Sequence, residues 1–404
     1  MISPVHRWTA EKTGLGDDLS PVTLQQWQSE KLKKAVDHAR THSRFYRERL
    51  RDFDDLSDLP FTSPSDLAND PSAFMAVPQD RVARVSTLAN SGTTHLKKRI
   101  LFSESDLERT KDFFAAGMSS IVSKGDHAVI LISNRTENSL GTLLGESLSG
   151  IGVTADIPGV IRSAAMAIED SVGADCLVGM PAEIFYMCRT EPSLRPKSVL
   201  LAADIAPQSV IRSISETWKC KVFTHYGHTE FGYGCAVDCG EHDGLHLRDA
   251  DLIFEIIDPL TSKNACQGES GEIVITTLSN EAMPLIRYRT GNISSLVNSS
   301  CRCGSSLSRL SRIEGRYNNL TDAVRGNTLS IYRLDEVIYA NSSVRGYNMV
   351  YEPARETLHL AVDASAGIDI SGIEQILPGG IRIDIKYDAA DPFVQRGKRR
   401  IQVC

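Results

Sequence analysis

No apolar run of about 18 residues occurs anywhere in the chain, which excludes a membrane-spanning helix. The first residues, Met1-Ile-Ser-Pro-Val-His-Arg-Trp8, have no apolar signal core, so the expectation is a cytoplasmic protein with no membrane partner. Basic charge is not in excess. The 44 Lys and Arg against 51 Asp and Glu give a net charge of −7, which argues against nucleic acid as a partner. The nine cysteines are an odd count scattered over 404 residues, which disfavours a disulfide framework. Internal repeats and low-complexity tracts are absent as well.

What is present is ordinary globular material. Apolar content of 41% and charge of 24% suit a chain that buries a large core, and the length suits about two or three domains. Leu24, Trp27, Leu32, Ala35 and Ala39 recur at helical spacing and predict, over 21–50, one amphipathic helix, then Phe45-Tyr46 and another turn. Ser105 and Asp106 are cap candidates for a helix running to about 123. Strands predicted over 128–132, 153–157, 176–178 and 198–202 alternate with helices over 140–148, 161–171, 182–189 and 210–219. That alternation means βαβ units and a mainly parallel sheet. After Glu230 the texture changes to strand-and-turn, which predicts an antiparallel β subdomain over about 232–310. A polar, Gly-containing stretch near Arg316 marks a boundary. The expected fold is therefore α/β: a large N-terminal domain, 1–316, of layered, mainly parallel sheets with helices plus the β subdomain, followed by a small α+β domain, 317–404.

Two stretches read as phosphate-binding and a third as metal-binding. Thr224-His-Tyr-Gly-His-Thr-Glu230 follows a strand-like run and turns at Tyr226-Gly227 onto the Thr229 hydroxyl and the Glu230 carboxylate. A hydroxyl beside a carboxylate at a strand exit suits a phosphate and its Mg²⁺. Asn90-Ser-Gly-Thr-Thr94 is a small, hydroxyl-rich loop between two strand candidates, with Lys97, Lys98 and Arg99 behind it. Its N–H groups and hydroxyls can cradle phosphate oxygens. Cys301-Arg-Cys303-Gly304 puts two thiols on one turn, as structural zinc sites do. Cys239 and His246, with His242 and Cys235 as spares, are on offer to complete it.

The stretches Asn90-Ser-Gly-Thr-Thr94, Tyr226-Gly-His-Thr-Glu230, Tyr288-Arg-Thr-Gly-Asn292 and Arg312-Ile-Glu-Gly-Arg316 fall in a fixed order, followed by Gly397-Lys398. Together they resemble the core motifs of the adenylate-forming superfamily of acyl-CoA synthetases. The closer resemblance is to phenylacetate–CoA ligases, through Phe45-Tyr46-Arg-Glu-Arg-Leu50, Leu56-Ser-Asp-Leu-Pro-Phe-Thr62, Phe254-Glu-Ile-Ile-Asp-Pro259 and Glu281-Ala-Met-Pro-Leu-Ile-Arg-Tyr-Arg-Thr290. The resemblance implies an AMP-forming ligase. ATP and a small carboxylic acid, aryl by family default, give an acyl-adenylate, and a thiol, most often coenzyme A, then displaces AMP. A carrier-protein thiol, an amine acceptor or a non-catalytic nucleotide binder are the alternatives, and a homodimer is allowed.

The resemblance also implies roles. Ser91, Gly92, Thr93 and Thr94 would hold phosphates, and Tyr226 and Gly227 would face adenine beside Ala203 and Asp204. Thr229 would bond the α-phosphate, Glu230 would hold Mg²⁺, and Asn292 and Arg312 would complete the nucleotide site. Lys398 would be the mobile catalytic lysine on a rotating lid. Gly141, Gly145, Met180, Pro181 and Ala203 would line the acid pocket, although Ser139 to Leu144 offers no aromatic platform. Relatives that hold zinc with a Cys…His…Cys-x-Cys set imply Cys239, His246, Cys301 and Cys303 as ligands. Three positions depart from the family pattern. Asn292 replaces a ribose-clamping Asp, which removes a charge-assisted bond worth about 1–3 kcal/mol. Asn318-Asn319 replaces a hinge acid pair, and His95-Leu96 replaces a Gly-Lys-like pair.

Overall fold

The computed structural model describes residues 2–88, 97–132, 136, 138–316, 323–324, 327–328, 330–377, 379–394 and 401–403. The chain divides into two compact units. One joins Met1–Ser120 to His225–Ile313, and the other joins Ile121–Thr224 to Glu314–Cys404.

The first unit opens with a helix the sequence reading did not foresee, Pro4–Thr13. Its signals were present: the Ser3 side chain accepts from the His6 N–H, Pro4 starts the helix and Gly14 ends it in the left-handed region. Over 21–50 the expected helix and further turn are Pro21–His42 and Arg44–Arg47. They are divided at Ser43, whose extended backbone caps the second. The helix Glu104–Met118 is capped by Ser103 rather than Ser105. Asp106 closes the reciprocal box from the third position, and the helix stops five residues short of the predicted end. The strand candidates beside the Asn90 loop pair antiparallel, as Arg84–Leu88 and Lys98–Phe102. In the predicted β subdomain, Leu252–Ile257, Gly271–Thr277 and Tyr288–Ser294 pair antiparallel.

A buried polar network fastens this unit. Tyr46 Oη and Thr62 Oγ1 lie 2.9 Å apart; Tyr46 Oη accepts the Ile286 N–H, and Thr62 Oγ1 donates to the Ile286 carbonyl. Arg287 joins Glu255 at 2.8 Å and donates to the carbonyls of Ser57 and Leu59. Several stretches that carried the resemblance are thus one hydrogen-bonded assembly that holds Tyr288 and Arg289 in place.

The second unit contains the predicted parallel sheet. In spatial order its strands are Lys221–Tyr226, Ser198–Leu201, Cys176–Gly179, His127–Ile130 and Thr154–Asp156, and all four pairings are parallel. The central strands Cys176–Gly179 and Ser198–Leu201 are buried throughout because both faces are covered, whereas the edge strand Thr154–Asp156 is largely exposed. The last two residues of the Lys221–Tyr226 strand count with the first unit, where His225 and Tyr226 pair antiparallel with Val237 and Ala236. The C-terminal part of the second unit pairs Val344–Glu352 with Thr357–Ala364 and the latter with Arg382–Tyr387, alongside the helix Ile331–Ile338. Leu334, Ile338 and Tyr347 share one hydrophobic core with Phe185, Met187 and Trp218. No helix among the described residues is long and apolar enough to cross a membrane.

Candidate active site

The Lys221–Tyr226 strand ends at Gly227, and only glycine fits there. A Cβ would lie 1.7 Å from the Tyr233 carbonyl oxygen. The turn that follows is closed by backbone bonds from Phe231 N–H and Tyr233 N–H to the His228 carbonyl. It starts a short 3₁₀ helix, Thr229–Phe231, that buries Glu230 and leaves Thr229 half-buried.

Glu230 is the electrostatic centre. Its side chain is 4% exposed, and Lys98 Nζ lies 2.5 Å from Oε1. Tyr288 Oη donates to the same oxygen at 3.2 Å, and His228 Nδ1 faces Oε2 at 3.5 Å. Burial works against the charge. The hydrogen bond from His228 and the Lys98 ammonium outweigh it and hold the carboxyl well below its usual range. Of the three cations behind the Asn90 loop, Lys97 and Arg99 are exposed and Lys98 is the one turned inward.

His228 was not singled out by the sequence reading, although it stands inside the quoted motif. Its Nε2 lies 3.0 Å from Asn292 Oδ1. Asn292 is buried after Gly291, which has φ of +74° and whose N–H donates to Glu272. An amide oxygen accepts only, so Nε2 is the donor. Tyr226 is buried and packs edge-on to His228 at 5.3 Å. Glu230, His228, Asn292, Tyr226 and Gly227 thus belong to one cluster. A hard cation such as Mg²⁺ would find a single ionised carboxylate here, with Lys98 as its present counter-charge.

Arg312 is exposed at the edge of the first unit. In the second unit Ala203 adopts φ of +67°, and Asp204 Oδ1 accepts the Ile205 N–H. Gly141 and Gly145 lie buried on the helix Leu140–Gly150, and a Cβ on Gly145 would meet Ile157 Cδ1 at 2.8 Å. A side chain there would have to displace the tip of Ile157. Met180 and Pro181 start the helix Pro181–Thr190. Ser91, Gly92, Thr93, Thr94, Asn318, Asn319 and Lys398 lie outside the described residues.

The cysteine reading converges in space. The ligand atoms of Cys239, His246, Cys301 and Cys303 all lie within 4.8 Å of one another, and all four side chains are buried. Cys239 Sγ and Cys301 Sγ are 3.8 Å apart, and Cys303 Sγ and His246 Nε2 are 3.5 Å apart. Zinc bonds of about 2.3 Å to sulfur and about 2.0 Å to nitrogen give tetrahedron edges of about 3.8 Å and about 3.5 Å. The donor set therefore fits zinc. Burial draws the His246 imidazole down to about 4, so its ring is neutral at pH 7. Of the two spares, His242 bonds Asp238 at 2.7 Å, and the Cys235 N–H donates to the Tyr226 carbonyl.

No family model matches the chain. The chain is 28% identical over 342 residues to the phenylacetate-coenzyme A ligase of Thermus thermophilus, covering 78% of this chain and 75% of that protein. It is 27% identical over 372 residues to the enzyme of the same name from Pseudomonas putida, covering 83% of each. Among solved structures, a 2-hydroxyisobutyryl-CoA ligase in the postadenylation state, in complex with 2-HIB-AMP, superposes with a TM-score of 0.77. That match has 18% identity and covers 94% of this chain and 89% of that one, a likeness of fold. The chain is thus similar in sequence to phenylacetate-coenzyme A ligases over most of its length, and similar in fold to an acyl-CoA ligase.

Proposed function

We propose that this protein is an AMP-forming acid–thiol ligase that activates a small carboxylic acid with ATP and passes the acyl group to coenzyme A. The observation that carries the reading is the Glu230 cluster. A buried, ionised carboxylate is held beside an inward lysine at a strand exit, with His228, Asn292 and Tyr226 around it. A carboxylate attacking an α-phosphate meets anion–anion repulsion, so fixed positive charge must be in place before substrate arrives. Lys98 supplies some of that charge. Glu230 would take Mg²⁺ with the nucleotide, Thr229 would donate to the α-phosphate, and Asn292 and Arg312 would meet the ribose side. Ser91, Gly92, Thr93 and Thr94 would hold phosphates, and Ala203, Asp204, Gly141, Gly145, Met180 and Pro181 would lie on the adenine and acid side. Residues 317–404 were expected to be a separately moving lid, but Leu334, Ile338 and Tyr347 within them share one buried core with Phe185, Met187 and Trp218, so the segment would carry Lys398 to the reacting carboxylate as part of the second unit.

A screen for pyrophosphate release across aryl and alkyl acids tests this reading. ATP- and acid-dependent release supports it, and no release with any acid rejects it. Adding coenzyme A, a carrier protein or amines then identifies the acceptor. Lys398→Ala should abolish adenylation with folding intact, and undiminished pyrophosphate release would reject the lysine's role. Engagement of Asn292 Oδ1 by His228 favours one second reading, a nucleotide-binding relative with weakened turnover. That reading predicts ATP binding without pyrophosphate release.

We also infer a structural zinc ion on Cys239, His246, Cys301 and Cys303. Four protein donors leave no open position, so the ion would tie the Cys301 knuckle to the loop that follows the Glu230 turn. Metal analysis after extensive dialysis should return one zinc per chain; stably folded protein without zinc would refute it.

A further inference from the structure

In the second unit the strand Arg382–Tyr387 lies at the edge of its sheet. Among the described residues it pairs on one side only, parallel to Thr357–Ala364. The N–H groups of Arg382 and Asp388 donate inward, to the carbonyls of Glu356 and Val362. Backbone groups alternate in direction along a strand, so the N–H and C=O of Ile383, Ile385 and Tyr387 point outward from the edge. Side chains alternate as well. Ile383 and Ile385 pack against the hydrophobic core, and Arg382, Asp384, Lys386 and Asp388 are exposed on the opposite face. Tyr387 ends the apolar row and is 53% exposed. An edge with outward-facing N–H and C=O groups is a template for another strand.

The charges on this strand select which one. Two copies of a strand related by a two-fold axis run antiparallel, and residue i faces j wherever j faces i. Three registers set outward groups opposite one another over most of the strand. With Asp384 on the axis, Asp384 faces its own copy and Arg382 faces Lys386. With Lys386 on the axis, Lys386 faces its own copy and Asp384 faces Asp388. Both oppose like charges. With Ile385 on the axis, Arg382 faces Asp388, Asp384 faces Lys386 and Ile383 faces Tyr387, so every charge meets its opposite, twice over by symmetry. Lys386 and Asp388 already pair at 2.8 Å and Asp384 meets His359 Nδ1 at 2.9 Å, but an ammonium has three donors and a carboxylate several acceptor sites, so each can take a cross-strand partner as well. We propose that a second copy of this chain docks antiparallel on the Arg382–Tyr387 edge with Ile385 on the two-fold axis, joining two sheets into one. The interface is small, so the dimer is reversible.

Sedimentation of the full-length protein across the micromolar range tests this, and the wild type should show a reversible monomer–dimer equilibrium. Lys386→Asp sets acid against acid at both symmetric positions and should weaken the dimer at least about tenfold. Asp384→Lys sets base against base and should weaken it by as much. The second variant separates facing charges from general repulsion. The chain carries a net charge of −7, so relief of overall repulsion would strengthen the Asp384→Lys dimer instead. The double variant, Asp384→Lys with Lys386→Asp, restores opposite charges in this register and should return to within about threefold of wild type. Both side chains are exposed, and urea titration of each variant checks that the fold is kept. A wild type that stays monomeric throughout would overturn the proposal. So would single variants that dimerise as the wild type does, or a double variant as weak as the singles.

Discussion

Asn292 occupies the position where the family pattern has an aspartate, and His228 explains how the amide is tolerated. The imidazole N–H takes Oδ1, which an unpaired buried amide oxygen would otherwise lack. Asn292→Asp should tighten ATP binding by up to about tenfold, because one carboxylate oxygen still goes to His228 and the other accepts from a ribose hydroxyl. Calorimetric titration with ATP checks it, and a looser complex would reject the ribose assignment. Asp249 makes a separate prediction. Burial alone pushes its carboxyl up to about 7, so the folded state prefers the protonated form. The corresponding stability is fully present below the ordinary carboxyl value of about 3.9 and is lost as pH rises towards 7. Between those limits the protein should lose up to about 1.4 kcal/mol per pH unit from this group. Asp249→Asn should flatten that slope in urea titrations across the range; an unchanged slope would exclude Asp249 as its source.

At the scale of elements, Asp106 joins what the sequence separates. Its carboxylate closes the Ser103 cap, accepts the N–H groups of Glu281 and Ala282, and pairs with Arg109. Asp106→Ala should cost about 3 kcal/mol or more, since it breaks a buried, multiply bonded charge. A loss under about 1 kcal/mol would show that the helix cap is its whole role. The parallel strands and their helices were legible because an unbroken apolar run such as Cys176–Gly179 has a single sensible location, between two covered faces. The helix Pro4–Thr13 was not legible. Its hydrophobic stripe is thin, and its hold on the fold comes from Trp8 meeting Phe113 and Asp112, a contact that no local window contains. The same limit hid His228 and selected Lys98 over Lys97. Motif order named the neighbourhood, but the partner of each charge lies 64 to 132 residues away. The cysteine set was the opposite case, because ligand chemistry restricts the choice of partners before any geometry is known.

At the scale of the whole molecule, the second unit is held by carboxylates as well as by its core. Glu336 accepts the N–H groups of Gln208 and Ser209 at the start of the helix Gln208–Trp218, which Pro207 leaves without a side-chain cap. Asp391 does the same for Ala164, and Asp363 accepts from Tyr186 Oη at 2.8 Å. Glu336→Ala should lower stability by about 1–2 kcal/mol, the value of a good cap, as read by chemical denaturation. No change would mean that water serves those N–H groups equally well. The first unit carries a different consequence. Its two segments are separated by the whole of Ile121–Thr224, yet Tyr46 and Thr62 have their buried partners at Ile286. On the ribosome, residues 1–120 therefore emerge roughly 10–40 s before the segment that completes them, at about 5–20 residues per second. Through that interval Tyr46 and Phe74, both fully buried in the finished protein, have no complete core to enter. Slow translation should therefore lower the soluble yield rather than raise it, which expression at reduced elongation rate checks.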